Sequence, residues 1–445
     1  MANYEAIIAR YRERTRKSLE LFTESKTLLP RGVSSNFRVI DPHPIFIESV
    51  VGTTMTDADG NKYIDFGMAF GSMMVGHAHP RVIEAVVTQV KKGTLHAMPH
   101  RLEISVSREL RDRFGMEQWR FANSGAEATM HAIRVARGHT GRSKVIKFEG
   151  AYHGAHDTVL VSVKPTVAHA GNRKRPQRIP QGAGIPTEAY ANTLVAVFND
   201  LESVRSLLEE NRNEVACLIL EPIMLNIGVT EPDPDFIPGL RALCDEHNVL
   251  LIFDEVKTGL KIARGGATEY FKTRPDMVCM AKAVGGGLPL AAFGSSAAVM
   301  EELNSLRVFH GGTYSSNPLT LAAAEVTLKE ILTDQAYVKS FALNKKLVDG
   351  YTAIIREHKL PCYANGVGAM GTINFRKDRI RNYRDFMESD PRAWHAFFIA
   401  MLNEGILPQA AGSDEQWTIS VQHTEADIEA HLKVFGKVAP MLRAL

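Results

Sequence analysis

Three short stretches carry side chains whose types and spacing could do chemistry. The first, Asn123-Ser124-Gly125-Ala126-Glu127-Ala128, follows the apolar Phe121 and opens a helix through Met130, Ile133 and Val135. Small residues at a helix start let an anion approach the unpaired N–H groups and the positive end of the helix dipole. The same residues also make an ordinary N-cap. The second is an apolar run, 249–253, that leads straight into Asp254-Glu255-Val256. It sets a carboxylate at the C-terminal end of a buried strand, where open α/β sheets place their ligands. Such a carboxylate needs a partner, and capping the next helix or pairing with an arginine would equally supply one. The third lies 28 residues further on, where Met277–Met280 leads into Ala281-Lys282 and then Gly285-Gly286-Gly287-Leu288-Pro289. Glycines let a ligand come close, and a partly desolvated lysine loses its proton more readily and attacks carbonyls. A solvated surface lysine is the plain alternative.

In this order the three stretches meet the three needs of pyridoxal 5′-phosphate (PLP): an anion cradle, a partner for the ring nitrogen and an amine for a Schiff base. With them stand Gly76-His77-Ala78-His79-Pro80, Tyr152-His153-Gly154, Glu221-Pro222 and Gly312-Thr313-Tyr314-Ser315-Ser316-Asn317-Pro318. From Gly32 to the closing helix the chain resembles the class III, fold-type I aminotransferases, most closely their glutamate-1-semialdehyde aminomutase-like and amino-acid transaminase members. The resemblance implies that Lys282 holds the cofactor and later moves the proton, and that Asp254 pairs with the pyridinium nitrogen. Tyr152 would stack on one ring face and Val256 pack on the other. Ser124, Gly125 and Ala126 would take the phosphate, Thr313 would reach the same phosphate from a neighbouring subunit, and Asn226 and Glu221 would serve the phenolic-oxygen side. Ala126 stands where the family often has Thr, which leaves only the backbone part of that contact.

On the substrate side, Gly32-Val33-Ser34-Ser35-Asn36-Phe37-Arg38 resembles the stretch in which the family places an arginine for the substrate carboxylate. Arg38 is therefore the candidate, since a guanidinium fork grips a carboxylate in bidentate fashion; a surface salt bridge is the alternative. His153 and Glu415 are the other substrate-side candidates, Glu415 lying near the position of an aminomutase glutamate. The chain departs from the aminomutases at Ser315-Ser316, where a Ser-Gly pair is usual, at Ala155-His156-Asp157 and in a basic stretch, 167–188. These departures favour a transaminase that moves an amino group from an amino-acid or amine donor to an oxo-acid, aldehyde or ketone acceptor. Its PLP would cycle with pyridoxamine 5′-phosphate. The alternative is an intramolecular aminomutase acting on glutamate 1-semialdehyde.

The elements that must position these residues follow from the rest of the chain. Its 445 residues exceed one domain, and 45% apolar with 23% charged residues is the composition of a globular protein with a large core. Lys plus Arg total 52 against 50 for Asp plus Glu, which leaves no charge excess for nucleic acid or an acidic membrane surface. Cys217, Cys244, Cys279 and Cys362 form no C-x-x-C pair or zinc cluster and read as reduced thiols of a cytoplasmic protein. His153, His156 and Asp157 lack further ligands, so no metal site is expected. Residues 1–66 read as a helix and small strands. Helical spacing of Tyr4, Ile7, Ile8, Tyr11, Leu19 and Phe22 argues against a signal peptide or membrane span. Asp57-Ala58-Asp59-Gly60-Asn61 reads as a hairpin turn, since a calcium loop needs its glycine two positions later.

Residues 67–324 alternate helical stretches with apolar runs at Lys144–Phe148, 216–220, 250–253 and Met277–Met280. That is the pattern of a largely parallel sheet covered by helices, the large cofactor domain of an α/β protein. Residues 325–445 contain a long helical stretch, strand-like runs at 372–375 and 417–421, and a closing helix. They join the N-terminal segment in a smaller α+β domain. The G-x-G-x-x-G at 366–371 precedes a strand rather than a helix, which argues against a dinucleotide site. The basic stretch, with Arg173, Lys174, Arg175 and Arg178, reads as a surface loop, either solvated or serving as a lid or partner contact. A Thr313 that serves the neighbour's phosphate makes the functional unit a homodimer.

Overall fold

The apolar runs become strands of one seven-stranded sheet in the computed structural model, which describes residues 2–443. They are β1 (Gln118–Ala122), β2 (Lys144–Phe148), β3 (Thr193–Ala196), β4 (Val215–Leu220), β5 (Leu250–Asp254), β6 (Met277–Met280) and β7 (Ala291–Ser295). Their spatial order is β1-β7-β6-β5-β4-β2-β3. All neighbouring pairs from β6 to β3 are parallel, and β7 is antiparallel to both β6 and β1. Every residue of β4 is buried, because a strand covered by helices on both faces must be apolar throughout rather than at alternate positions.

The helix Gly125–Thr140 follows β1 and buries Ala128, Ala132, Ile133, Val135 and Ala136 in a core shared with Ile219, Ile252, Cys279 and Phe293. Its start is fixed locally. Ser124 Oγ accepts from Glu127 N at 3.2 Å, and the Glu127 carboxylate accepts from Asn123 N at 2.9 Å. The cap satisfies one first-turn donor, and the Glu127 carboxylate ties back the residue just before the cap, close to the capping-box arrangement. The helix ends where Gly141 adopts φ 67 and its N–H caps the Arg137 carbonyl.

Two compact units divide the chain: Arg81–Asp334 with Ile380–Met387, and Met1–Pro80 with Gln335–Arg379 and Glu388–Leu445. The first holds the large sheet. The second contains a four-stranded sheet of Ile47–Val51, Thr54–Asp57, Lys62–Asp65 and Ile406–Leu407, and a three-stranded sheet of Tyr363–Val367, Met370–Asn374 and Trp417–Thr418. Ile406 pairs with Ile64, so strands from the two ends of the chain build one α+β unit. The boundaries fall at 80/81 and 334/335 rather than at 66/67 and 324/325, and hydrogen bonds account for the first. Phe66 O accepts from Thr418 N at 2.8 Å and Met74 O from Val421 N at 2.9 Å, which ties the residues around 67–80 to the C-terminal segment.

Gly60, at φ 83, completes the turn of the hairpin between Thr54–Asp57 and Lys62–Asp65. The G-x-G-x-x-G segment is likewise a hairpin, with Val367 paired to Met370. The basic stretch lies mostly at the surface and forms a small ribbon of Gly171–Asn172 and Arg175–Pro176. Its three arginines are engaged: Arg173 meets Asp385 at 2.8 Å, Arg175 pairs with Glu210, and Arg178 donates to the Ala191 carbonyl.

Candidate active site

Register brings the sequence-distant stretches together. Asp254, last in β5, stands opposite Cys279 of β6, and Glu255 N donates to Cys279 O at 2.9 Å. Lys282 follows three residues after that pairing, at φ 54. A non-glycine residue there holds a left-handed backbone at a cost of about 1–2 kcal/mol, strain of the kind that collects at functional sites. Gly125 lies against both strand ends: a Cβ on it would come 3.0 Å from Val256 Cγ2 and 3.6 Å from Ala281 Cβ. The Tyr152 turn closes in from another side, and a Cβ on Gly154 would come 2.5 Å from Ala126 Cα.

Asp254 is buried, with 3% exposure, and its partners are explicit. One carboxylate oxygen accepts from Val256 N at 3.0 Å and the other faces His153 Nδ1 at 2.7 Å. The carbonyl of His153 in turn accepts from Thr129 Oγ1 at 2.5 Å. His153, a substrate-side candidate from the sequence, is engaged with Asp254. Its side chain has 0% exposure and sits behind Asp254. Sequence spacing alone could not reveal the contact, because 101 residues separate the pair. Half-buried Tyr152 has its phenol pKa raised by burial and then by the Asp254 charge.

The turn itself is held by charged groups. Glu221 accepts from Tyr152 N at 3.0 Å and from Leu225 N at 3.1 Å. Lys147 donates to the carbonyls of Ala151 and Val161, and burial lowers its pKa to about 7 against the raising effect of Glu221 and Glu149. Asn226 lies on the buried segment after Glu221, where Lys257 holds the Leu225 carbonyl at 3.1 Å. Lys261 is also fully buried; burial and then the Lys282 and Lys257 charges hold its pKa well below the usual lysine range. Lys147, Lys257 and Lys261 escaped sequence reasoning, although a lysine inside an apolar strand such as Lys147 is a signal that could have found one of them.

The remaining candidates are placed elsewhere. Thr313 is on an exposed loop lining a cavity of about 1080 Å³ with Glu103, Phe121 and Ser316. Among the described residues no hydrogen bond joins Thr313 to the cluster. Arg38 and Glu415 belong to the smaller unit. Arg38 is exposed on the turn Asn36–Arg38 and donates to Ser34 Oγ at 2.9 Å, whereas Glu415 is buried and its carbonyl accepts from Thr372 Oγ1 at 3.0 Å. No group of three or more His, Cys, Asp or Glu side chains suited to a metal occurs among the described residues.

The residues fit a phosphorylated, cationic ring. The N–H groups of Gly125 and Ala126 have no hydrogen-bond acceptor among the described residues, and Gly125 and Gly154, lacking a Cβ, let the strand ends and the Tyr152 turn pack directly against the helix start. That is how a helix start receives a phosphate. A buried carboxylate and a lysine stand at neighbouring strand ends. Such a sheet and site define the fold-type I class of PLP-dependent enzymes.

Comparison with known proteins makes the assignment narrower. The family model "Aminotransferase class-III" matches residues 37–434. A glutamate-1-semialdehyde 2,1-aminomutase of Archaeoglobus fulgidus is 40% identical over 416 residues, covering 93% of this chain and 97% of that protein. The crystal structure of an omega-transaminase from Sphaerobacter thermophilus has a TM-score of 0.91 at 30% identity, covering 96% of this chain and 98% of that one. A glutamate-1-semialdehyde aminomutase from Pseudomonas aeruginosa in complex with PMP has a TM-score of 0.90 at 26% identity, covering 99% and 98%. The chain belongs to the class-III aminotransferase family, and its cofactor is PLP.

Proposed function

We propose that the protein moves an amino group between adjacent carbons of one substrate, as a 2,1-aminomutase acting on glutamate 1-semialdehyde. The observation that carries this reading is the 40% identity, over 93% of the chain, to a protein named for that reaction. The departures at 155–157 and 315–316 favoured a transaminase, but they are few beside a likeness of that extent.

In this reading Gly125 and Ala126 N–H groups, with the Ser124 hydroxyl, hold the phosphate. Thr313 of a second copy adds a further contact, which makes the working unit a homodimer. Asp254, held by His153, keeps a proton on the ring nitrogen. Tyr152 and Val256 bracket the ring, and Asn226 and Glu221 serve its phenolic side. Bound PLP supplies an electron sink that stabilises negative charge beside the substrate nitrogen. The Lys282 amine holds the cofactor between turnovers, then takes a proton from one substrate carbon and returns it to another site. Arg38 grips the substrate carboxylate, and Glu415 is a further substrate contact. No described helix is long and apolar enough to cross a membrane, and the four buried, unpaired cysteines suit a reducing cytoplasm.

A second reading is intermolecular transamination. Its support is the omega-transaminase likeness at TM-score 0.91, together with Ser315-Ser316 in place of the aminomutases' usual Ser-Gly. One experiment separates the two. Purified holoenzyme given glutamate 1-semialdehyde and no acceptor should yield the isomeric amino ketone at many turnovers per site. Conversion that stops at one equivalent and resumes only with an added oxo acceptor would reject the aminomutase in favour of the transaminase.

A further inference from the structure

Glu149 opens the turn that carries Tyr152, and it is buried at 2% exposure. A lone carboxylate there would be strongly unfavourable. Its partner comes from the distant segment Ile380–Met387, which belongs to the same compact unit although both flanking segments belong to the other. Arg384 Nε meets one Glu149 oxygen at 2.6 Å and Nη2 meets the other at 2.9 Å, a bidentate fork.

The same guanidinium reaches further. It donates to the Gly171 carbonyl at 3.0 Å and to that of Ala170. Beside it, Tyr383 Oη donates to the Pro165 carbonyl at 3.0 Å, and its ring lies so near Gly150 that a Cβ there would come 2.7 Å from it. Gly150 N in turn donates to Ser162 O at 2.9 Å. From the other side Lys147 holds the Ala151 carbonyl and Glu221 the Tyr152 N–H. A buried Arg–Glu pair is seldom more stabilising than apolar residues of the same volume. What this pair supplies is direction: four hydrogen bonds from one planar group set the start of the turn against the backbone at 170–171.

We propose that Arg384 is a positioning residue, fixing through Glu149 the orientation in which Tyr152 meets the cofactor ring. This rests on the reading of Tyr152 as the ring-stacking residue. The test uses holoenzyme variants, read by PLP dissociation, by the visible circular dichroism of the bound cofactor and by thermal unfolding. Arg384→Met is expected to weaken PLP retention about tenfold or more, the scale of losing hydrogen bonds to a charged group, and to diminish the dichroism. Arg384→Lys should not rescue it, because an ammonium cannot form the fork.

The double variant Glu149→Gln/Arg384→Met removes both buried charges, so its thermal stability returns toward wild type while PLP retention stays weak. It also supplies the measurement should Arg384→Met alone fail to fold. Retention that recovers together with stability in the double variant would overturn the proposal and leave a purely structural ion pair. So would an Arg384→Met protein with unchanged retention and dichroism. Tyr152→Ala separates this inference from its foundation. If that variant changes nothing, the stacking reading fails and the proposal with it; if it matters while Arg384→Met does not, only the positioning role fails.

Discussion

Gly154→Ala puts a methyl group where the backbone leaves no room for one. A Cβ on Gly154 would lie 2.5 Å from Ala126 Cα and 2.6 Å from Ala126 Cβ, and Gly154 has φ +106. Ala126 belongs to the first turn of Gly125–Thr140, so nothing can rotate aside; either the helix start or the Tyr152 turn must shift. A positive φ costs an ordinary residue about 1–2 kcal/mol, and forcing a methyl into a packed site costs about 1–3 kcal/mol more. The sum is about 2–5 kcal/mol. Gly60→Ala is the control, since Gly60 has φ +83 but nothing within 4 Å, leaving only the conformational part. The difference between the variants isolates the contact. Only Gly154→Ala should also loosen PLP, because relieving the clash moves Tyr152 away from the Gly125 and Ala126 amides. Thermal unfolding and a PLP titration of both variants read these effects. A Gly154→Ala protein as stable as Gly60→Ala, with wild-type PLP affinity, would refute the close approach.

Lys282→Ala should abolish the visible absorption of the protein-bound cofactor, and an unchanged spectrum would remove Lys282 from its role. Arg38→Ala should lower kcat/KM for carboxylate-bearing substrates by about 10–100-fold, the scale of a lost charged hydrogen-bond pair, while sparing simple amines; equal losses for both would take Arg38 out of the site. The half-buried His156 has its pKa lowered from 6.5 to about 4, chiefly by desolvation and then by the charge of His153. Because the unfolded chain binds this proton more readily, stability is present above pH 6.5 and is lost as pH falls toward 4. His156 alone contributes about 2 kcal/mol of loss between roughly pH 7 and 5. His156→Gln should flatten that part of a stability–pH curve, and an unaltered slope would show that the histidine is not responsible.

Asp254 and Lys282 were legible because each ends an apolar run, and parallel neighbours place such ends along one edge of a sheet. The helix start at Gly125 was legible for a similarly local reason, its small residues and cap. His153, Glu149 and Arg384 were not, because their meaning lies in partners 101 and 235 residues away. Only the packed chain decides whether a histidine beside Tyr152 faces substrate or backs a carboxylate. Residues 67–80 group with the N-terminal segment for the same reason, since a bond such as Val421 N to Met74 O reaches them from near the other end of the chain.

Ser316 shows how a visible sequence difference acquires physical content. The replacement of the aminomutases' usual glycine by serine looks conservative in size, but Ser316 has φ 58. Glycine adopts that conformation freely, whereas serine gives up about 1–2 kcal/mol. One side-chain contact offsets the strain, Ser316 Oγ donating to Glu103 at 3.0 Å, while the bond from His100 Nε2 to the residue-316 carbonyl at 2.9 Å is open to glycine as well. Ser316→Gly would therefore relieve the backbone but release Glu103, on the same cavity wall as Thr313. If the serine bears on reaction type, that variant should change the ratio of acceptor-free to acceptor-dependent turnover; a changed stability with an unchanged ratio would confine its role to the loop.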